Sequence, residues 1–175
     1  MPRTIAVIPA YNEATRIASV VKTAQAFVDR VVVADDGSTD GTGEAAKAAG
    51  ATVVRHMVNG GAGAATMTVI EAARRLGAEI VVTLDADEQH DPADIPALLK
   101  PIQEGTADIV FANRFGQRNK IPNIRRVFNG IGHIVRFAAT GMWVSDSQCG
   151  FKAFGPKAVK EIRLRMSGFE FCTEI

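Results

Sequence analysis

Along the first two-thirds of the chain, short runs of apolar and β-branched residues alternate with longer stretches whose apolar positions recur at helical spacing. The runs predict strands at Ile5–Ile8, Val31–Ala34, Thr52–Arg55, Ile80–Leu84 and Asp108–Ala112. They read as near-continuous hydrophobic segments, the pattern of strands covered on both faces of a parallel sheet. Helices are predicted between them at Glu13–Phe27, Thr42–Ala49, Ala64–Leu76 and Pro92–Gln103. Ser38 or Thr39 stands where the second needs a cap, and Asp91 precedes Pro92, a residue suited to a first helical turn. Gly50 and Gly77 mark helix ends. Strands alternating with helices predict βαβ units, hence an α/β fold: a Rossmann-like, mostly parallel sheet with helices on both faces.

After Asn113 the pattern changes. A polar stretch, Arg114–Asn123, is followed by Ile124, Val127, Phe128, Ile131, Ile134, Val135, Phe137 and Ala138 at helical spacing, then by a short mixed tail. Glu174 and Ile175 end the chain in what reads as the middle of a helix. The expectation is one domain over residues 1–175, with halves at about 1–113 and 114–175, the second cut short at its C-terminus. Repeats, linkers and low-complexity segments are absent from the sequence.

Composition narrows the partners. With 175 residues, 47% hydrophobic and 22% charged, the chain can bury a sizeable core, which excludes a disordered segment or a small disulfide scaffold. Twenty basic against 19 acidic side chains leave a net charge of +1, against nucleic acid as a principal partner. Cys149 and Cys172 lack close metal-ligand spacing and read as reduced thiols without a disulfide partner. Met1-Pro2-Arg3 passes at once into a strand, without the apolar core of a signal peptide, and no 18-residue apolar stretch follows. The expected location is therefore cytoplasmic, with peripheral contact at the cytoplasmic membrane face left open.

In an open parallel sheet, ligands bind beyond the carboxyl ends of the strands. Pro9-Ala10-Tyr11-Asn12-Glu13 follows the first strand, Asp35-Asp36-Gly37-Ser38 the second, and Asp85-Ala86-Asp87-Glu88-Gln89-His90 the fourth. Turn formation and capping compete as the role of any one cluster. Three clusters on one edge bring carboxylates together, an arrangement that calls for a cation or hydrogen-bond donors among them. The spacing Asp85-x-Asp87-x-Gln89 presents oxygen ligands at alternate positions, suited to Mg²⁺ or Mn²⁺ bridging substrate phosphates and poorly suited to zinc. His90 is expected to make a local hydrogen bond rather than to join the ligands.

The stretch Asn59-Gly60-Gly61-Ala62-Gly63-Ala64-Ala65 contains Gly61-x-Gly63, yet it follows the third strand, and Thr66 replaces the last glycine of a dinucleotide fingerprint. A tight loop needing glycine is the preferred reading, with its backbone N–H groups still able to face an anion. Arg114, Arg118, Lys120, Arg125 and Arg126 form a basic stretch that reads as a solvated face or an anion site.

These motifs, together with Asn113-Arg114-Phe115 and Asp146-Ser147-Gln148-Cys149-Gly150-Phe151-Lys152, stand in a family's order and at similar spacings. From Thr4 to its end the chain resembles family 2 glycosyltransferases of the GT-A fold, in the branch of dolichyl-phosphate and polyprenyl-phosphate mannosyl- and glucosyltransferases. The resemblance implies metal-dependent, inverting transfer of mannose or glucose from a GDP- or UDP-sugar to a lipid phosphate at a membrane surface. It implies nucleotide-sugar contacts from Pro9, Tyr11, Asn12, Glu13, Asp35, Asp36, Gly37, Gly61, Asp85, Ala86 and Asp87, and a Mg²⁺ or Mn²⁺ ion held by Asp87 and Gln89. Catalytic roles fall to Asp87, Arg114 and Asp146, and acceptor binding to Arg114, Arg126, Gln148 and Lys152. Ala62 departs from the pattern, because relatives of this branch often carry a basic residue in that loop.

A phosphate acceptor, with its second pKa near about 6, attacks without a strong general base, whereas a hydroxyl acceptor needs one. Two alternatives stay open. One is transfer to a glycan or small-molecule hydroxyl, with Asp146 or Glu170 as base. The other is a non-catalytic nucleotide-sugar-binding domain. Glu170 and Glu174 lie one helical turn apart, as a carboxylate pair or as exposed helix glutamates. The segment Ile124–Thr140, basic at its start, either rests on an anionic membrane surface or packs in the core.

Overall fold

Which side of the sheet each strand residue faces follows from its place in the run. In β1 (Thr4–Ala10), alternate residues point to opposite faces, so Ala6, Ile8 and Ala10 enter one core while Ile5 and Val7 enter the other. Both faces must then be covered, and each apolar side chain so enclosed contributes about 1.5–3 kcal/mol. In the computed structural model, which describes residues 2–87, 90–112 and 149–162, helices do this on both sides. One face carries α1 (Ile17–Ala24), α2 (Thr42–Ala48) and α4 (Ile95–Gln103); the other carries α3 (Ala62–Arg75) and α5 (Pro156–Glu161). On α1, Ile17, Val20, Val21 and Ala24 are buried, at the i, i+3, i+4, i+7 spacing of a helix with one covered stripe.

Six strands form one sheet in the order β3-β2-β1-β4-β6-β5. β2 (Arg30–Asp35) and β4 (Ile80–Thr83) flank β1, and β3 (Thr52–Arg55) lies outside β2, all parallel. β6 (Lys152–Phe154) runs antiparallel between β4 and β5 (Ile109–Phe111). The mostly parallel α/β sheet is thus the expected one. Because Ala10 pairs with Asp35 and Asp35 with Arg55, the parallel strands finish at one edge, and the loops after them share that edge.

Three local features depart from the sequence expectation. Residues 13–16 turn before α1 begins: the Glu13 carbonyl accepts N–H groups from Arg16 and Ile17 at 3.0 and 2.9 Å. Neither Ser38 nor Thr39 caps α2; Gly41 (φ +85°) occupies the cap position, and Asp40 Oδ1 accepts the Thr42 N–H at 3.1 Å. β6 has no counterpart among the predicted strands. Asp91 does cap the turn at Pro92–Asp94, accepting the Ala93 N–H at 2.9 Å, and Gly50 and Gly77 adopt the left-handed φ that ends a helix. The expected polar stretch 114–123, the helix 124–140, Glu170, Cys172 and Glu174 lie outside the described residues. Among the described residues, no helix is long and apolar enough to cross a membrane.

Candidate functional site

The loops after β1 and β2 lock together. Asn12 takes a left-handed conformation (φ +56°), which lets its N–H donate to Ser38 Oγ and its Oδ1 accept the Thr39 N–H, both at 3.0 Å. One residue on, the Glu13 N–H donates to Thr42 Oγ1 at 2.8 Å, and the Ala14 N–H donates to Asp40 Oδ2 at 3.1 Å. Thr42 Oγ1 in turn donates to Asp40 Oδ1. That hydroxyl, with the backbone N–H groups of Ala14 and Thr42, holds the Asp40 carboxyl below its ordinary value of 3.8. Pro9 is the penultimate residue of β1, Tyr11 after the strand is 47% exposed, and Glu13 pairs with Arg16 at 3.0 Å.

The second motif is deeply buried. Asp35 is 0% exposed: Oδ1 accepts the Ser38 N–H at 2.9 Å, and Oδ2 lies 3.5 Å from Arg55 Nε without a hydrogen bond among the described residues. A Cβ at position 43 would sit 2.6 Å from that same oxygen, so Gly43 makes room for the carboxylate. Asp36 is 2% exposed, and both its oxygens accept protein N–H groups, from Gly60 and Gly61 at 2.8 and 2.9 Å. The glycine-rich turn therefore directs these N–H groups at an internal carboxylate rather than outward to a ligand anion. Asp36 and Gly61 thus meet each other, and their hydrogen bond shapes the turn. Gly37 (φ +72°) lies so close to this turn that a Cβ would come within 2.8 Å of Asn59 N.

The loop after β4 is arranged differently. Asp85, Ala86 and Asp87 leave the sheet in a turn; the Asp85 side chain is 40% exposed and Ala86 is buried. Across from it, Cys149-Gly150-Phe151 leads into β6. A Cβ on Gly150 would overlap the Asp85 carboxylate, so glycine is required for the two motifs to approach. Thr83 Oγ1 donates to the Gly150 carbonyl at 2.6 Å and accepts the Lys152 N–H at 3.2 Å, which fixes that approach. His90 Nε2 lies 3.4 Å from Cys149 Sγ and 3.9 Å from Asp85 Oδ2, with its ring 5.4 Å from that of Phe151. The local hydrogen-bonding role expected of His90 is what it performs. Cys149 is fully buried. Lys152, expected at the acceptor, is 2% exposed, with Nζ 5.3 Å from the Phe111 ring centroid.

A small pocket joins the two sides, lined by Pro9, Thr66, Thr83, Asp85, Gly150 and Lys152. The structure thus brings Pro9, Asp85 and Lys152 to one place. Gln89, Arg114, Arg126, Asp146 and Gln148 lie outside the described residues. Arg55, the last residue of β3, and His56, which follows it, stand at this edge as the motifs do after β1, β2 and β4, and no sequence motif marks them. Arg55 donates to Glu44 Oε1 at 2.9 Å and to the Ser38 carbonyl at 3.0 Å, tying β3 and α2 to the second motif.

Among the described residues, no three His, Cys, Asp or Glu side chains form a metal cluster. Asp85 and Asp87 supply hard oxygen donors, and such a pair fits a magnesium-type ion, which takes one or two carboxylates and fills its remaining positions with water and substrate phosphate.

Comparison with known proteins accords with this arrangement. A protein of Methanocaldococcus jannaschii named MJ1222 is 36% identical over 160 residues, covering 89% of this chain and 66% of its own length. The UDP-N-acetylglucosamine–dolichyl-phosphate N-acetylglucosaminyltransferase of Methanococcus voltae is 33% identical over 191 residues, covering 96% of this chain and 76% of that protein. Glucosyl-3-phosphoglycerate synthase from Mycobacterium tuberculosis, in a crystal structure with Mn²⁺, UDP-glucose and phosphoglyceric acid, shares the fold with a TM-score of 0.76 at 23% identity. The match covers 98% of this chain and 62% of that one. The chain thus spans somewhat under two-thirds of the length of some of the proteins it matches. The sequence profile described as "Glycosyl transferase family 2" matches residues 5–163, and with the motif loops gathered on one sheet edge this establishes that the chain belongs to glycosyl transferase family 2.

Proposed function

We propose that this chain is the catalytic domain of an inverting glycosyltransferase that moves a hexose, mannose or glucose, from a GDP- or UDP-sugar to a polyprenyl or dolichyl phosphate. The observation that carries the reading is the convergence of the Pro9–Glu13, Asp35–Ser38 and Asp85–Asp87 loops on one edge, around a pocket closed by Gly150 and Lys152. Support for the acceptor class comes from the dolichyl phosphate in the printed name of the Methanococcus voltae relative.

On this reading the residues divide the work as follows. Pro9, Tyr11, Asn12 and Glu13 form the wall for the nucleoside, with the half-exposed Tyr11 ring as a face on which a base stacks. Asp35, Asp36 and Gly37 hold that wall in place from behind. Asp85, Ala86 and Asp87 meet the diphosphate end. Asp87 and Gln89 would hold Mg²⁺ or Mn²⁺, which neutralises charge that develops on the departing diphosphate. Lys152 faces the same pocket, where a buried ammonium attracts an anionic acceptor more strongly than one in water.

Arg114, Arg126 and Gln148 are proposed, through the resemblance alone, to bind the acceptor phosphate, with Asp146 near the reacting sugar. One acceptor oxygen bonds to the anomeric carbon as the bond from that carbon to the diphosphate breaks, inverting the configuration. The dianionic acceptor attacks without losing a proton first, so positioning and charge stabilisation suffice. Acceptor and donor meet at a membrane surface in this scheme, with the chain on its cytoplasmic face.

The test is transfer from GDP-mannose, UDP-glucose and UDP-N-acetylglucosamine to a short polyprenyl phosphate in detergent micelles, with Mn²⁺ or EDTA, against a polyprenol control. Metal-dependent formation of a lipid-phosphate sugar supports the proposal. Transfer to a sugar hydroxyl, abolished by Asp146→Asn while donor binding persists, would replace the acceptor. Donor binding without transfer to any acceptor would make the chain a nucleotide-sugar-binding domain.

A further inference from the structure

The loop between β3 and α3 buries no large apolar side chain of its own: Met57 and Val58 are 98% and 74% exposed. Hydrogen bonds rather than packing hold it, and they converge on one carboxylate. Asp36 Oδ1 accepts the Gly60 N–H at 2.8 Å and lies 2.7 Å from His56 Nδ1, and Oδ2 accepts the Gly61 N–H at 2.9 Å. An ionised carboxylate only accepts, so Nδ1 carries the imidazole proton. In the neutral ring Nε2 is then an acceptor, and it lies 2.9 Å from the Thr68 hydroxyl on α3. The His56 ring spans the interval between the second motif and the third helix.

Gly61 is the residue from which α3 starts, and Thr66 on that helix lines the pocket with Pro9 and Asp85. Whatever fixes Asp36 therefore fixes the origin of a pocket wall. We propose that His56 is a positioning residue for the donor pocket: by donating to Asp36 and resting on Thr68, it holds the carboxylate where Gly60 and Gly61 can cap it and sets where α3 begins. The consequence for donor binding rests on the function proposed above, whereas the anchoring of the turn does not. Asparagine at position 56 places an amide N–H close to where Nδ1 stands. Glutamine reaches toward the Nε2 position instead, and alanine reaches neither.

Two readouts on the 175-residue chain test this: amide hydrogen exchange at Gly60 and Gly61, and the donor KM and kcat. His56→Ala is expected to speed exchange at both glycines about tenfold or more and to raise donor KM about tenfold, with kcat within about twofold, the effect of losing one charge-assisted hydrogen bond. His56→Asn restores most of both, and His56→Gln restores neither. Unchanged exchange in His56→Ala would overturn the proposal, as would an effect on kcat with KM unmoved. So would a His56→Asn variant that folds, by circular dichroism, yet behaves as alanine does. A wild-type chain that binds no nucleotide sugar but shows the expected exchange pattern would overturn the donor reading and support the anchor.

Discussion

The two sides of the candidate site are built on different terms. On the β1–β2 side, Asn12, Glu13 and Ala14 bond across the two loops to Ser38, Thr39, Thr42 and Asp40, and Asp35 and Asp36 are 0% and 2% exposed. On the β4–β6 side, the Asp85 carboxylate is 40% exposed and is shaped by close approach to a glycine. The buried acids are held by protein groups, Asp36 by N–H donors on both oxygens and Asp35 by the Ser38 N–H and the nearby Arg55 guanidinium, as burial of a carboxylate demands. On the function proposed above, the more accessible Asp85 and Asp87 are the acids that meet the cation and the phosphate. Pre-organising one side leaves the ordering cost of binding to the other.

The largest expected effect tests the accessible side. Asp87→Ala should lower transfer by about 10³-fold or more, as loss of a group that stabilises developing charge does, with the melting temperature little changed. Steady-state rates and a thermal melt check this together, and an equally large fall for a surface acid such as Glu79→Ala would remove the distinction.

Gly150→Ala comes next. Its Cβ would overlap the Asp85 carboxylate, so that side chain must move, and a displacement of about 1 Å in a reacting group costs on the order of 10²-fold in rate. Circular dichroism should show an intact fold. Retained activity would mean that Asp85 does not act from the position described.

On the framed side the effects should fall on stability and donor affinity. Asn12→Ala removes the acceptor for the Thr39 N–H and places alanine at φ +56°, for a loss of about 1–3 kcal/mol measured by denaturant unfolding. Asn12→Gly relieves the backbone term but not the lost hydrogen bond, so it should recover only part of that stability.

The smallest effect concerns pH. The Thr42 hydroxyl, with backbone N–H groups, lowers the Asp40 carboxyl below 3.8, so folding favours its charged form. That contribution is present above pH 3.8 and is lost as pH falls through the lower native value. Asp40→Asn should therefore melt below wild type near neutral pH, with the gap narrowing as pH falls below 3.8. A gap independent of pH would assign the effect to hydrogen bonding alone.

Much of the framework was legible because buried parallel strands must be continuously apolar and their loops must share an edge. The runs at Ile5–Ile8, Val31–Ala34 and Ile80–Leu84 place Tyr11, Asp35 and Asp85 at that edge. β6 was not legible: Lys152–Phe154 is three residues long, and its partners, Val81–Thr83 and Ile109–Phe111, lie far away in sequence. Asp36 illustrates a second limit. Its partners Gly60, Gly61 and His56 stand 20 to 25 residues on, and pattern reading does not pair a carboxylate with distant backbone N–H groups. Glycine at position 150 leaves room for a carboxylate from another loop, a relation its own sequence neighbourhood does not display.

The most direct test of the account is calorimetric titration of GDP-mannose and UDP-glucose into the chain with Mn²⁺ and with EDTA, repeated on Asp87→Ala. The account predicts that one nucleotide sugar binds in a metal-dependent way and that Asp87→Ala abolishes this binding. A folded chain that binds neither, or that binds equally well with EDTA and after Asp87→Ala, would contradict it.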